Sequence, residues 1–217
     1  VPECDLAIFW SHNPKHIIQA QRLRKADYLV MERGYIGDRM RWTSLGFNGL
    51  NGNADFGTYG NMPKERWEKR FGDEWLRPWK RSGDYILLCG QVQGDASVNH
   101  ISIFLWASAM AGRLKNNFTD IPVRYRPHPI DVKRRAIQPI DGLPLSTQPL
   151  EKDLDHATLC VTFNSNTGVD ALLAGIPVLA YDKGSMVFRM ATHEANETPV
   201  YPDRSQWARN MAYCQWL

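Results

Sequence analysis

The chain has 217 residues, of which 43% are hydrophobic and 23% are charged, with 26 lysines and arginines against 23 aspartates and glutamates. This composition excludes a disordered chain, because such chains lack the apolar surface that offsets the entropy lost on ordering. The net charge of +3 is too small to indicate or exclude a polyanionic partner. No apolar run approaches the roughly 20 residues that span a bilayer, and no signal-peptide pattern opens the sequence. We therefore expect a globular protein without a membrane span.

The cysteines predict neither a zinc site nor a disulfide framework. All four lie far apart, with no Cys-x-x-Cys pair and no Cys/His cluster at zinc spacing. Cys89 and Cys160 fall inside apolar, strand-like runs, which favours buried, reduced thiols and a cytoplasmic location. Asp153 and Asp155 resemble a D-x-D metal pair, but in a helical stretch residues two apart point in different directions. We interpret both as surface charges and expect no metal.

Short apolar runs alternate along the chain with helix-like stretches, a pattern typical of an α/β fold with a mostly parallel sheet. In the first part, apolar runs at 6–10 and 28–31 enclose a helical stretch from about 15 to 26. A glycine-rich region of loops and short strands follows over 34–60. Residues 64–81 form a polar segment studded with aromatic side chains, and we interpret it as the link between two lobes.

The second part of the chain repeats this alternation more clearly. Its strands are predicted at 85–89, 122–125, 159–163 and 177–180. Its helices are predicted at about 98–115, 152–157 and 169–174, with a last one that begins at Ser205 and continues beyond the end of the sequence. We therefore expect an N-terminal lobe over residues 1–80 and a C-terminal lobe over residues 81–217.

The candidate site residues are those that directly follow strands, because ligands of open α/β sheets bind outside the carboxyl ends of the strands. The strongest candidate is the run Asn164, Ser165, Asn166, Thr167 and Gly168, which leads directly into a helix. The first N–H groups of a helix lack internal partners and the helix dipole favours an anion, so this run predicts a phosphate or sugar site. The same residue types also cap helices, and an ordinary N-cap is the alternative.

Three further side chains at strand ends are candidates for proton transfer or phosphate binding. His128 lies between two prolines that fix the backbone on both sides, although a capping or core role is the alternative. Asp95 is either a helix cap or a general base. Glu32 is the second candidate base. His12 follows a strand and precedes a proline, and its signal is weaker.

Two basic clusters leave a nucleic-acid interaction open. Residues 64–81 interleave aromatic and basic side chains, a mixture that stacks bases and neutralises phosphates. Trp67, Phe71 and Trp75 also form a helical stripe, and this spacing favours packing on the core. A second cluster covers residues 133–135.

These motifs, in their residues and in their order along the chain, resemble those of the GT-B glycosyltransferases related to bacterial capsule-polysaccharide and Kdo-transferase enzymes. The motifs that carry the resemblance are Glu32-Arg33-Gly34-Tyr35 with Asp38-Arg39, Gly46-Phe47-Asn48-Gly49, Gln91 with Asp95, Arg126-Pro127-His128-Pro129, and the run from Asn164 to Val178. The similarity covers about residues 28–180. It implies an α/β, GT-B-like fold in which two Rossmann-like lobes with mostly parallel sheets face a cleft, the N-terminal lobe on the acceptor side.

The resemblance also implies residue roles in binding the donor. His128 and the Asn164–Gly168 run would hold the phosphates of a nucleotide-sugar, and Arg126 would stabilise the leaving diphosphate. Asp170 stands where the family usually has Glu, and it would contact the nucleoside end. Asp95 or Glu32 would be the base.

The implied activity is a metal-independent transfer of a sugar from a nucleotide-sugar to a hydroxyl acceptor, with a saccharide favoured. The nucleotide-sugar is the donor substrate, and we expect no cofactor. The basic clusters leave a second acceptor open, hydroxymethylated pyrimidines in DNA, as in viral DNA modification. A nucleotide- or nucleotide-sugar-binding protein without catalytic activity is the alternative from a different class.

Overall fold

The computed structural model describes residues 3–58 and 60–217, and the chain divides into two compact units. The first unit runs to Glu74 and includes Asp203–Leu217, and the second is Trp75–Pro202. The division falls within 64–81, the segment interpreted as a link, six residues before the expected boundary. The expected C-terminal lobe differs more, because its last residues belong to the first unit.

The described residues form eight strands and seven α-helices. The strands are β1 (Leu6–Trp10), β2 (Asp27–Arg33), β3 (Thr43–Phe47), β4 (Tyr85–Cys89), β5 (Val123–Arg126), β6 (Ala157–Thr162), β7 (Val178–Ala180) and β8 (Gln215–Trp216). The helices are α1 (Lys15–Arg24), α2 (Glu65–Arg70), α3 (Ile103–Asn117), α4 (Pro129–Arg134), α5 (Leu150–His156), α6 (Thr167–Leu173) and α7 (Ser205–Tyr213). The alternation predicted from the apolar runs is therefore present. None of the described helices is long and apolar enough to cross a membrane.

The sheet of the first unit is mixed, with the order β1-β2-β3-β8. Only β1 and β2 pair in parallel, whereas β3 runs antiparallel to both β2 and β8. The expectation of mostly parallel sheets is therefore wrong for this unit. The physical reason is the short connection over 34–42, because a parallel return needs a crossover of about a dozen residues or more.

The C-terminal segment belongs to the first unit because its polar groups bind there. Gln215 is fully buried, and its Oε1 accepts hydrogen bonds from the N–H groups of Tyr35 at 2.6 Å and Ile36 at 3.0 Å. Arg66 of α2 donates to the carbonyl oxygens of Ala212 and Gln215, both at 2.6 Å. The last helix therefore ends at Tyr213, and the chain continues as β8 rather than as the longer helix expected.

The sheet of the second unit is entirely parallel, with the order β5-β4-β6-β7. Every residue of β4 is buried, as expected for a parallel strand covered on both faces. Ile86 and Leu88 pack with α3 on one face, and the hydroxyl of Tyr85 donates to the carbonyl oxygen of Asp153 in α5, at 3.0 Å. The parallel architecture predicted from the sequence is confirmed for this unit.

Helix α3 begins later than the sequence predicts. Its first residue is Ile103, and the Ser102 side chain caps it by accepting a hydrogen bond from the Leu105 N–H at 3.4 Å. The predicted start at Val98 lies in a series of turns. Asp95 therefore caps no helix, because its carboxylate accepts from Ser97 within those turns.

Candidate functional site

The carboxyl edge of the parallel sheet gathers most of the expected donor residues. The sheet order brings the residues that follow β5, β4, β6 and β7 next to one another along this edge. They include Gln91, His128, Asn164 and Asp182. Because ligands of such sheets bind outside the carboxyl ends of the strands, this edge is the candidate site.

Asn164 joins three of these strand ends. Its Oδ1 accepts a hydrogen bond from Gln91 Nε2 at 2.8 Å, and its own N–H donates to Gln91 Oε1 at 3.0 Å. Its Nδ2 donates to Asp182 Oδ1 at 2.9 Å and to the carbonyl oxygen of Ser97 at 3.2 Å. The side chain of Asn164 is thus committed to linking β4, β6 and β7, and it shapes the site rather than projecting from it.

Asp182 also lies at the candidate site, although it was not among the residues expected from the sequence. Its Oδ1 also accepts a hydrogen bond from the Gly184 N–H at 2.9 Å, so it holds both Asn164 and the turn that follows β7. The available signal was its position two residues after the last strand of the sheet. The rule that selected His128 selects Asp182 as well.

The turn between β6 and α6 binds much of its own backbone. The N–H groups of Thr167 and Gly168 donate to the hydroxyl and the carbonyl oxygen of Ser165, at 3.2 Å and 3.1 Å. Those of Val169 and Asp170 donate to the carbonyl oxygen of Asn166. These four amides are therefore used within the turn, and an anion there would be bound mainly by side chains. Ser165, Asn166 and Thr167 are all partly exposed.

The next residue, Gly168, permits the close packing of this turn. A Cβ at this position would lie 2.9 Å from Cγ2 of Val187, closer than such atoms approach in proteins. Asp170 is partly exposed in the first turn of α6, where the helix dipole favours a carboxylate.

His128 caps α4 and has a defined tautomer. Its Nδ1 accepts a hydrogen bond from the Ile130 N–H at 3.1 Å. In the neutral imidazole the proton is therefore on Nε2, which makes this atom a donor. The capping role weighed from the sequence is therefore present and uses Nδ1, and a ligand-binding role would have to use Nε2.

Arg126 is directed into the second unit. Its guanidinium pairs with Asp153 Oδ2 at 2.6 Å and donates to the carbonyl oxygen of Gln148 at 2.5 Å. Asp153 is fully buried and also accepts from Ser146 at 2.7 Å and from Gln148 Nε2 at 2.7 Å. The interpretation of Asp153 as a surface charge is therefore wrong, whereas Asp155 is indeed exposed. Helical geometry separates the two side chains as expected, but one of them points inward.

The two candidate bases lie in different units. Asp95 is exposed, and its Oδ1 accepts from the N–H of Ser97 at 3.0 Å and from its hydroxyl at 2.9 Å. Glu32 lies within β2 rather than after it, and its Oε1 accepts from the Arg33 N–H at 3.1 Å. Both carboxylates are acceptors only, as a general base requires.

The basic residues of segment 64–81 mostly contact the protein itself. Arg66 stacks on the Trp216 ring at 3.9 Å, and Arg81 stacks on the Tyr201 ring at 3.9 Å. Lys64 pairs with Glu68, and Arg77 pairs with Asp155. Trp67 and Phe71 are buried, so the core-packing interpretation of the aromatic stripe is confirmed for these two residues.

A surface cavity of about 340 Å³ lies elsewhere in the second unit, between α3 and residues 139–141. None of the expected site residues lines it. We assign the site from the strand ends rather than from this cavity, because chemically suitable side chains converge at the strand ends. Among the described residues, no group of three or more His, Cys, Asp or Glu side chains is arranged to hold a metal ion.

Comparisons with known proteins concern the fold. The chain shares its fold with two solved Kdo transferases. Both are structures of KpsC from Thermosulfurimonas dismutans. The β-Kdo 2,7-transferase aligns over 94% of this chain and 75% of its own, with 14% identity and a TM-score of 0.57. The β-Kdo 2,4-transferase aligns over 95% and 78%, with 13% identity and a TM-score of 0.66.

Sequence comparisons find no counterpart to this structural similarity. No protein-family model matches the chain, and no curated protein matches it. The strand-end motifs resemble those of enzymes related to Kdo transferases, and both structural neighbours are Kdo transferases, so the two comparisons agree. At 13–14% identity the likeness establishes the fold, and residue roles must be argued from this chain.

Proposed function

We propose that this protein is a glycosyltransferase of GT-B type that moves a sugar from a nucleotide-sugar to a hydroxyl of a saccharide. The observation that carries the proposal is the shared fold with two Kdo transferases over at least 94% of the chain. The carboxyl edge of the second unit's sheet supports it, because three partly exposed polar side chains follow β6 there and an oriented imidazole follows β5, with β4 between the two strands. In this proposal the second unit binds the donor and the first unit binds the acceptor.

The donor phosphates would be bound by side chains. The Nε2–H of His128 would donate to a phosphate oxygen, and Ser165, Asn166 and Thr167 would supply hydroxyl and amide groups from the loop after β6. Asp170 would bind the nucleoside. We give Arg126 a positioning role, because its guanidinium already pairs with Asp153 and Gln148.

The transfer needs one proton acceptor. The bond between the anomeric carbon and the phosphate oxygen breaks, a bond forms between that carbon and the acceptor oxygen, and the base takes the acceptor's proton. Asp95 and Glu32 remain the two candidates for the base. Charge on the departing nucleotide would be stabilised by the donors of the loop and by His128.

Donor binding is tested first, with the intact chain and a panel of nucleotides and nucleotide-sugars in a thermal-unfolding assay. A ligand at 100 times its Kd stabilises the native state by about 2.7 kcal/mol. The Thr167→Ala and His128→Ala variants should each weaken donor binding about 10-fold to 100-fold, through the loss of a bond to a charged group. Thr119→Ala is the matched control, because Thr119 is exposed in the same unit after α3. Equal binding by all four proteins would refute the assignment.

The base is tested by turnover with the best donor and a panel of saccharide acceptors. Asp95→Asn and Glu32→Gln keep the size of each side chain and remove its basicity. The true base should lose about 10²-fold to 10⁴-fold in kcat with unchanged donor affinity. Turnover that both variants retain would exclude both candidates. Donor binding without transfer to any acceptor would instead favour the non-catalytic alternative.

We do not favour DNA as the acceptor. Of the basic residues in 64–81, Arg66 and Arg81 stack on aromatic rings, and Lys64 and Arg77 pair with carboxylates. These contacts leave the segment a weak polyanion site. A steep dependence of binding on salt concentration would be the sign of duplex DNA binding.

A further inference from the structure

The first unit exposes one face of its sheet as an apolar surface. Side chains alternate between the two faces of a strand, so residues two apart along β1, β2 and β3 share a face. The strand pairing brings seven apolar side chains to the same side. We call this set the open face: Leu6, Ile8, Trp10, Leu29, Met31, Leu45 and Phe47.

The two faces of this sheet differ sharply in burial. On the other side, Ile18 of α1 packs against Tyr28 and Val30, and all three are at most 4% exposed. On the open face, Ile8 is 58% exposed and Trp10 is 51% exposed. Leu6 and Phe47 are 39% and 40% exposed. Exposure alternates along β1 because other residues cover only one face of this sheet.

The open area is large for a surface without a partner. The four most exposed side chains leave on the order of 400 Å² of apolar surface open to solvent, a size that usually marks an interaction site. A standard interface takes about 800 Å² from each partner. Leu29, Met31 and Leu45 are half-buried and lie on the same face, so they and the polar rim supply part of the remainder.

Charge at the two ends of the open face is of opposite sign. Asp27 begins β2 and Arg33 ends it, and they are six positions apart, an even offset, so both side chains lie on the open face. Both are exposed. A surface that is acidic at one end and basic at the other is complementary to itself when it is turned by 180°.

We propose that two copies of this chain associate through the open face. The twofold axis lies between the two sheets and perpendicular to the strands, so that the sheets pack face to face with their strands antiparallel. Ile8 and Trp10 of the edge strand β1 are then buried, one on each side of the axis. Asp27 of each copy faces Arg33 of the other, which gives two equivalent ion pairs. This inference is independent of the transferase proposal, which is carried by the fold shared with the two Kdo transferases.

The test measures the molar mass of the intact chain by analytical ultracentrifugation over concentrations around the micromolar range, where an interface of this size should associate. We expect a monomer–dimer equilibrium. Ile8→Lys should raise the dimer Kd at least about tenfold, since it buries an unpaired charge. Leu23→Lys is the matched control, because Leu23 is 78% exposed on α1, outside the open face. A monomer at all concentrations, or equal effects of the two variants, would overturn the proposal.

A charge exchange tests the orientation. Asp27→Arg and Arg33→Asp should each weaken the dimer, because like charges then face each other at both ends. The double variant restores opposite charges across the interface and should recover the dimer. Loss of folding in Asp27→Arg, where the bond from Asn48 Nδ2 to Asp27 is lost, would show in far-UV circular dichroism of that variant. A folded double variant that stays monomeric would overturn the antiparallel arrangement.

Discussion

Replacing Asp153 by alanine should destabilise the second unit more than any change at a neighbouring surface carboxylate. Asp153 is fully buried, pairs with Arg126 at 2.6 Å, and accepts hydrogen bonds from Ser146 and Gln148. The Arg126 side chain is itself only 12% exposed. The substitution therefore leaves a buried cation without its counter-charge and two donors without their acceptor.

The magnitude follows from the broken pair. Removing one partner of a buried ion pair costs about 3–5 kcal/mol, because the remaining charge stays desolvated. Water that enters the space left by the carboxylate should satisfy the two neutral donors in part, so we expect about 4 kcal/mol in total. Asp155→Ala is the matched control on the same helix. Its side chain is 57% exposed and lies 3.7 Å from Arg77, so its loss should cost less than about 1 kcal/mol.

Urea unfolding followed by circular dichroism measures both variants, with constant slopes as the check that the unfolding transition is unchanged. Adding Arg126→Met to Asp153→Ala should recover part of the loss, because it removes the unpaired charge. Similar costs for Asp153→Ala and Asp155→Ala would refute the account. An additional loss in the double variant would refute the role of the charge.

Three further predictions concern single residues. Gly112→Ala should stabilise the protein by about 0.5–1 kcal/mol, since nothing lies within 4 Å of the added carbon in α3. Gly175→Ala should cost more than about 2 kcal/mol, since φ is +79° and the added carbon would overlap the carbonyl of Pro78. Thermal unfolding of the two variants compares these effects. Burial, with nearby Arg22 and Lys15, lowers the pKa of His12 below 6.5, so the free energy of unfolding should fall as the pH drops below that value. His12→Asn should flatten this pH dependence. The same substitution at the exposed His16 is the control. A thiol reagent should titrate one cysteine, Cys4, in the native protein and all four after unfolding; a second reactive native thiol would contradict the burial of the rest.

The sequence predicted the elements of the second unit well because parallel strands are continuous apolar runs. Each residue of β4 is buried, so its pattern is unambiguous. The thiols of Cys89 and Cys160 are buried and reduced, as their strand positions indicated. The hydrogen bond with the Cys89 thiol raises the pKa of Cys160, and burial raises it further.

Buried polar residues were predicted poorly, because hydropathy carries no information about hydrogen-bond partners. Asp153 and Gln215 both have polar side chains, yet both are fully buried and each satisfies groups distant in sequence. The pairing of strands that are far apart in sequence is difficult to predict for the same reason. The link between β3 and β8 joins Ser44 to Gln215, and no local pattern in 203–217 distinguishes this destination from the second unit.

The sequence predicted the location of some of the candidate site residues. Position after a strand identified His128 and the Ser165–Thr167 loop, and the structure brings their strands to one sheet edge. The same rule gave no information on where each side chain points. The side chains of Arg126 and Asn164 bind other parts of the second unit. Side-chain direction depends on packing partners that a single sequence does not reveal.

The return of the chain to its first unit sets an order of events during synthesis on the ribosome. The second unit is continuous in sequence, from Trp75 to Pro202, and its whole chain is synthesised before β8. One edge of β3 therefore lacks its partner strand until the whole second unit has been synthesised. Until then the first unit of the nascent protein is incomplete, and an unpaired strand edge of this kind is prone to aggregate.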